Sequence, residues 1–151
     1  MNLLILFGSE TGNAEELSYA FHQLIEEKCE NIVVQNMNYF SDNYEELNNY
    51  DYVIIFCSTT GNGDFPNNAS KFWRKIKNRQ LEKNTFESLK YSICALGDSN
   101  YSMFCFSGKN LNKRLQQLGA TPITPIFCMD AVDDDEESFE KYVSMILPKL
   151  I

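Results

Sequence analysis

The stretch Phe7-Gly-Ser-Glu-Thr-Gly-Asn-Ala-Glu15 follows a short apolar run, Leu3 to Phe7, and leads directly into an amphipathic segment. A strand that stops at a loop of glycine and hydroxyl residues and restarts as a helix forms an anion cradle. The first N–H groups of the helix have no intrahelical partner and converge on the loop. Ser9 and Thr11 add hydroxyl donors, and the loop holds no Lys or Arg. Such a cradle suits a phosphate monoester held by neutral donors better than a triphosphate that needs charge neutralisation.

Beyond this turn, apolar residues recur in alternating blocks. Leu17, Phe21, Leu24 and Ile25 keep helical spacing, which predicts a helix over about 13–28. Ile32–Val34 reads as a second strand. Tyr52–Cys57 is continuous, apolar and β-branched, as expected of a strand covered on both faces. Ala69, Phe72, Trp73 and Ile76 mark a second helix, with Pro66 near its first turn. Tyr91–Leu96 reads as a fourth strand. Phe104, Gly108, Leu111, Leu115 and Leu118 predict a third helix that stops at Gly119. Ile123–Cys128 reads as one fifth strand, and Phe139, Tyr142, Val143, Ile146, Leu147 and Leu150 as a last helical stripe. Residues 41–50 are the longest weakly patterned stretch and are expected to cover the sheet between strands two and three.

Strands alternating with helices of this length build right-handed βαβ units around a parallel sheet. The predicted class is α/β: one domain over residues 1–151, five parallel strands in the order 2-1-3-4-5, helices on both faces. The ligand is expected beyond the carboxyl ends of strands one, three and four, at the topological switch point.

Composition narrows the function. The chain has 151 residues, 44% hydrophobic and 23% charged, ordinary for a soluble globular domain. Its 13 basic and 21 acidic residues give a net charge of −8. That balance disfavours nucleic acid and anionic membranes and permits docking to a basic protein. No apolar run approaches the ~18 residues of a membrane span, and the opening residues carry no signal-peptide pattern. The cytoplasm is the expected location. The five cysteines are widely spaced with no C-x-x-C pair, so reduced, buried thiols are expected rather than disulfides or a metal site. The acidic run Asp133–Glu137 lacks the spacing of a calcium loop and reads as favourable charge at a helix start.

Turn chemistry collects in three places, Gly8–Asn13, Ser58–Asp64 and Gly97–Tyr101. In the predicted topology these three loops are neighbours. A P-loop is excluded because no Lys follows Gly12. A dinucleotide fingerprint is excluded because the pattern begun by Gly61-Asn-Gly63 meets Pro66. A phosphorylated receiver domain needs acidic residues where this chain has Gly8-Ser9 and Cys57-Ser58.

With these residues in view, the chain resembles the flavodoxin family, and within it the FMN-binding module of the diflavin reductases. Phe7–Glu15 is similar to the family's phosphate loop. Cys57-Ser-Thr-Thr-Gly-Asn-Gly-Asp64, followed by Pro66 and Asn68, resembles the second flavin loop, and Ala95-Leu-Gly-Asp-Ser-Asn-Tyr-Ser-Met-Phe104 the third. Gly108–Ala120 resembles the helix that follows in the reductases. The resemblance implies FMN as cofactor. It implies a cofactor-binding set of Ser9, Glu10, Thr11, Gly12, Asn13 and Ala14 at the phosphate, with Ser58, Thr59, Thr60, Gly61, Asn62 and Gly63 in the second loop. Leu96, Gly97, Asp98, Asn100, Tyr101 and Phe104 belong to the third loop, and Asp130 lies near the flavin's other redox-active edge. Tyr101 is expected flat against the ring, and Gly61 at the flavin nitrogen that is protonated on one-electron reduction. Nearby carboxylates, Asp98, Asp130 and the run Asp133–Glu137, are expected to disfavour the negative charge of the fully reduced flavin.

Thr60 stands where many members of the family have an aromatic residue. The Ser-Thr-Thr-Gly form resembles the branch of methionine synthase reductase and of the diflavin reductase of iron–sulfur assembly. The implied function is a one-electron relay between an FAD/NADPH reductase domain, on the same or a separate chain, and a redox protein acceptor. The expected state is a monomer, with no catalytic set of its own. A free-standing carrier and a quinone-type flavin reductase stay open as alternatives. A flavin-free, receiver-like signalling domain is a further, weaker one.

Overall fold

A computed structural model describes residues 1–151. The chain alternates β1 (Asn2–Gly8), α1 (Asn13–Ile25), β2 (Asn31–Asn36), β3 (Tyr52–Ser58), α2 (Asn67–Ile76), β4 (Lys90–Gly97), α3 (Phe106–Gln117), β5 (Thr121–Pro122), β6 (Phe127–Asp130) and α4 (Asp135–Leu150). All pairings are parallel, in the order β2-β1-β3-β4-β5, with β6 continuing along the same edge of β4. The doubly wound order expected from the sequence is the observed one. No helix is long and apolar enough to cross a membrane.

The period of two along each strand divides the core. Leu4, Leu6, Val53, Ile55, Tyr91, Ile93 and Ala95 face α2 and α3, whose Ala69, Phe72, Ile76, Leu111 and Leu115 cover them. Leu3, Ile5, Phe7, Ile54, Phe56 and Cys94 face α1 and α4, meeting Phe21, Ile25, Tyr142 and Ile146. Two glycines permit close helix approach. A Cβ on Gly108 would lie 2.5 Å from the Ala95 Cβ, and one on Gly8 would lie 2.8 Å from the Ala69 Cβ.

Three local features depart from the sequence reading. The fifth strand is not continuous. Thr121 and Pro122 pair with Lys90 and Tyr91, and pairing resumes only at Phe127 opposite Cys94. Four residues, 123–126, thus stand against Ser92 and Ile93. Pro125 has no N–H for a ladder. Thr124 turns inward, its hydroxyl 2.6 Å from Ser92 Oγ, which lies 2.7 Å from the Tyr142 hydroxyl. The polar trio satisfies itself inside the core at the cost of the strand.

Second, α3 begins at Phe106 rather than Phe104, because Cys105 adopts φ 52°, the one non-glycine residue with positive φ. Third, the weakly patterned stretch 41–50 covers the core as expected but is more ordered than its pattern suggests. It and the residues before it form 3-10 turns at Met37–Phe40 and Tyr44–Asn49, and Phe40 and Leu47 are buried in the core. The stop at Gly119 holds, with φ 94°.

Candidate functional site

A cavity of 580 Å³ opens at the carboxyl ends of β1, β3 and β4, within the usual range for small-molecule sites. From the sequence-predicted set, Glu10, Thr11, Asn13, Ser58, Thr59, Thr60, Gly61, Leu96, Gly97, Asp98 and Tyr101 line it. The loops at the ends of β1, β3 and β4 therefore converge. The carboxyl end of β6 and the start of α4 form a fourth wall, through Met129, Ala131 and Asp135, joined by Glu16, Leu17 and Met103. Asp135 belongs to the acidic run 133–137 expected near the ligand, and the expected site residue Asp130 marks the end of β6; Glu16, Leu17, Met103, Met129 and Ala131 are additions.

The first loop is held from behind. The Ser9 N–H donates to Asn68 Oδ1 at 2.8 Å, and Glu10 Oε1 accepts from the Asn67 N–H at 3.2 Å. Both bonds tie the turn to the first turn of α2, and the second engages the Glu10 carboxylate there. Gly12 takes φ 95°, the left-handed region that favours glycine. Its N–H donates to Ser9 Oγ at 2.8 Å, so Ser9 and Gly12 brace the turn. The N–H groups of Glu10, Thr11, Asn13, Ala14 and Glu15 have no acceptor within the chain. Those at the start of α1 are the orphan donors of a helix N-terminus, which favour an anion. Ser9, Gly12 and Ala14 lie outside the cavity lining, and Ala14 is buried.

The second loop is a tight turn. Thr60 N–H donates to the Asp64 carbonyl at 3.0 Å, Gly63 N–H to the Thr60 carbonyl at 2.9 Å, and Asp64 N–H to Thr60 Oγ1 at 3.2 Å. The Thr60 hydroxyl therefore closes its own turn. Gly61 does not have positive φ, and a Cβ there would meet nothing within 4 Å. Asn62 and Gly63 stand outside the cavity. Gly63 lines a separate cleft beside Phe65 and Trp73, whose rings stack at 4.7 Å.

Ser107, at the start of α3, anchors the second loop from beneath. Its buried hydroxyl donates to the Ser58 carbonyl at 2.7 Å and lies 2.8 Å from Thr59 Oγ1, which accepts from the Ser107 N–H at 3.0 Å. The Thr59 hydroxyl is thus spent on the scaffold. No sequence motif marked Ser107. Ser107→Ala removes the donor to the half-buried Ser58 carbonyl and one of the two partners of the Thr59 hydroxyl. The expected loss is about 1–3 kcal/mol of stability, read as a lower denaturant midpoint with unchanged slope.

The third loop presents Tyr101, 56% exposed on the cavity wall. Asp98 Oδ1 accepts from the Asn100 N–H at 2.9 Å, so Asn100 shapes the turn from outside the lining. Asp130 is likewise outside. Its Oδ1 accepts from the Ser99 N–H at 3.0 Å and the Val132 N–H at 3.2 Å, pinning the loop to the end of β6. Hydrogen bonds from the Ser99 side chain and backbone hold its carboxyl below the ordinary carboxylate range. That anchorage is present above the unfolded pKa and fades as pH falls through the lower folded value. Phe104 turns away from the cavity and packs on the core, with Lys109 Nζ 5.1 Å from its ring centre. At the fourth wall, Asp134 Oδ1 caps α4 through the Glu137 N–H at 2.9 Å.

The cavity lining contains Glu10, Glu16, Asp98 and Asp135 and no Lys, Arg or His. It has neutral N–H donors at one end and an exposed aromatic wall at the other. No group of three or more metal-ligating side chains accompanies them.

Fold and cavity together define a doubly wound α/β domain with a mononucleotide-type site at its switch point. The sequence profile of the flavodoxin family matches residues 5–142, and the chain belongs to that family. NADPH-dependent diflavin oxidoreductase 1 of Xenopus laevis is 41% identical over 137 residues, 89% of this chain and 22% of that protein. The sulfite reductase (NADPH) flavoprotein alpha-component of Bacillus subtilis is 36% identical over 136 residues, 90% of this chain and 22% of that protein. The chain spans about a fifth of the length of these curated relatives. Among solved structures, oxidised flavodoxin 1 from Bacillus cereus superposes with a TM-score of 0.77 at 24% identity, covering 99% of this chain and 97% of that one. A cysteine-to-alanine mutant of flavodoxin from Pseudomonas aeruginosa gives 0.77 at 23%, with the same coverage. At these identities the structures speak to the fold.

Proposed function

We propose that the cavity holds FMN and that the chain relays electrons singly from an FAD- and NADPH-binding reductase module to a redox protein acceptor. The observation that carries the reading is the row of unpartnered N–H groups at the start of α1, facing a cavity without basic side chains and walled by exposed Tyr101. The diflavin relatives support the reductase module as the source of electrons. A protein acceptor is supported by the net charge of −8, which permits docking to a basic partner, and the carrier is taken to act as a monomer. A cytoplasmic location accords with five free cysteines.

The residues divide the work. The N–H groups of Thr11, Asn13 and Ala14 and the Thr11 hydroxyl hold the phosphate. Tyr101 covers one ring face and keeps water from it. Thr60 leaves the other face without an aromatic cover. The Gly61 peptide would offer a backbone hydrogen bond to a ring nitrogen of bound FMN. FMN, when bound, supplies the redox chemistry itself. Glu10, Glu16, Asp98 and Asp135 disfavour added negative charge in the cavity.

Gly61→Ala separates structure from redox tuning. Its Cβ enters open space, so the melting temperature of the FMN-free chain is expected to stay within about 2 °C. A peptide turn to positive φ becomes costly by about 1–2 kcal/mol, so the one-electron-reduced population in a redox titration is expected to fall. An unchanged population removes Gly61 from that role. The relay itself is tested by mixing the FMN-loaded chain with NADPH, a separate FAD-containing reductase domain and a one-electron acceptor such as cytochrome c. Acceptor reduction that needs all components is expected. NADPH-driven quinone reduction by the chain alone would support the reductase alternative instead.

A further inference from the structure

We propose that Cys128 and Cys105 form a thiol-modification site behind the third loop, in which Cys128 takes up a low-molecular-weight disulfide and Cys105 resolves it to an intramolecular disulfide. The pair shares one face of the sheet. Cys128 stands opposite Ala95 in the β4–β6 ladder, and both belong to the core face that α3 covers. Cys105, the residue before α3, is buried on that same face. Its Sγ lies 3.6 Å from the Ala95 carbonyl and 3.9 Å from the Met129 carbonyl. That places it beside Cys128, against the carbonyls of that residue's ladder partner and of the residue that follows it. Cys94 points to the opposite face and has no access to Cys105.

The two thiols differ in character. Cys128 is half-buried and reachable, while Cys105 is fully buried. The neighbouring Cys105 thiol and, after it, the Lys109 cation hold the Cys128 thiol below the ordinary thiol pKa, against the effect of burial. Cys29 is also half-buried, but burial raises its pKa. Among the reachable thiols, Cys128 is the activated one. Cys105 also carries the single strained backbone of the chain, at φ 52°.

The exchange balances with glutathione disulfide as oxidant. The Cys128 thiolate attacks one sulfur, the S–S bond breaks, and one glutathione thiolate leaves. Cys105 loses its proton to solvent and attacks the Cys128 sulfur, and the second glutathione thiolate leaves. Two protein thiols lose two electrons in total, and glutathione disulfide gains them. The new bond would tie the start of α3 to β6, the strand whose Asp130 holds Ser99. The third loop is then fixed at both ends.

The test treats the purified, fully reduced chain with glutathione disulfide at neutral pH and follows intact mass and peptide maps. Cys128 is expected to react about tenfold faster than Cys29. The product expected is a Cys105–Cys128 link, reversed by dithiothreitol. Cys105→Ser is expected to stop at a mixed disulfide on Cys128, and Cys128→Ser to abolish the link. Cys94→Ser is expected to leave it intact. If Cys105→Ser does not fold, the Cys128→Ser and Cys94→Ser arms decide. First modification at Cys29, or no Cys105–Cys128 link in the unsubstituted chain after equilibration, overturns the proposal.

Discussion

Tyr101→Ala is expected to weaken FMN binding about 10- to 100-fold, the effect of removing one aromatic stacking partner worth about 1–3 kcal/mol. The side chain lines the cavity and leaves 56% of its surface exposed, so the fold gains little from it. Burial by ligand is the use that such an exposed ring serves. Because Thr60 supplies no second ring, the loss should not be shared with another aromatic in the second loop. The melting temperature of the FMN-free variant is expected to match the parent. Fluorescence titration with FMN checks the affinity. Equal affinity in variant and parent would remove Tyr101 from the site, and an equal drop in FMN-free stability would make it a structural residue.

Phe56→Ala acts on the platform instead. Phe56 is fully buried on β3, and its ring centre lies 6.0 Å from Phe21, 6.4 Å from Phe139 and 5.8 Å from Tyr142. It joins α1 and α4 to the sheet just below the cavity. Truncation leaves a cavity that three surrounding aromatics cannot fill without shifting. A loss of about 3–5 kcal/mol is expected, with a melting temperature lower by about 10 °C. Denaturant unfolding of the FMN-free chain measures it. A loss below about 1 kcal/mol would mean that this face is not packed as described.

The fold was legible because its signals are local and repeated. Apolar runs, stopped by Gly8 and Gly97, mark the strand–helix alternation, and the anion loop after the first of five strands fits the observed order. The break at residues 123–126 was not legible, because Ile123 and Ile126 look like strand residues. The bond from Thr124 to Ser92, which is itself bonded to Tyr142, draws the chain off the ladder beside Pro125, and these three polar residues are distant in sequence. Phe104 kept the helical rhythm by coincidence, since the positive φ at Cys105 starts α3 two residues later.

In the site, residue type located the loops but not the direction of each side chain. Ser9, Thr59 and Thr60 carry hydroxyls suited to a phosphate or flavin, yet each hydroxyl braces its own scaffold. Asn100 and Asp130 shape the third loop from outside the cavity. At the fourth wall only the acidic residues were legible, because Met129 and Ala131 carry no polar signature. They contribute by position alone, beside the end of β4.

The most direct measurement is a paired titration of the purified chain with FMN and with riboflavin, which differs by lacking the phosphate. One FMN per chain is predicted, with riboflavin bound about 100-fold or more weakly, as expected when several charge-assisted hydrogen bonds are lost. Equal binding of the two ligands, or none of either, would contradict a phosphate held at the start of α1.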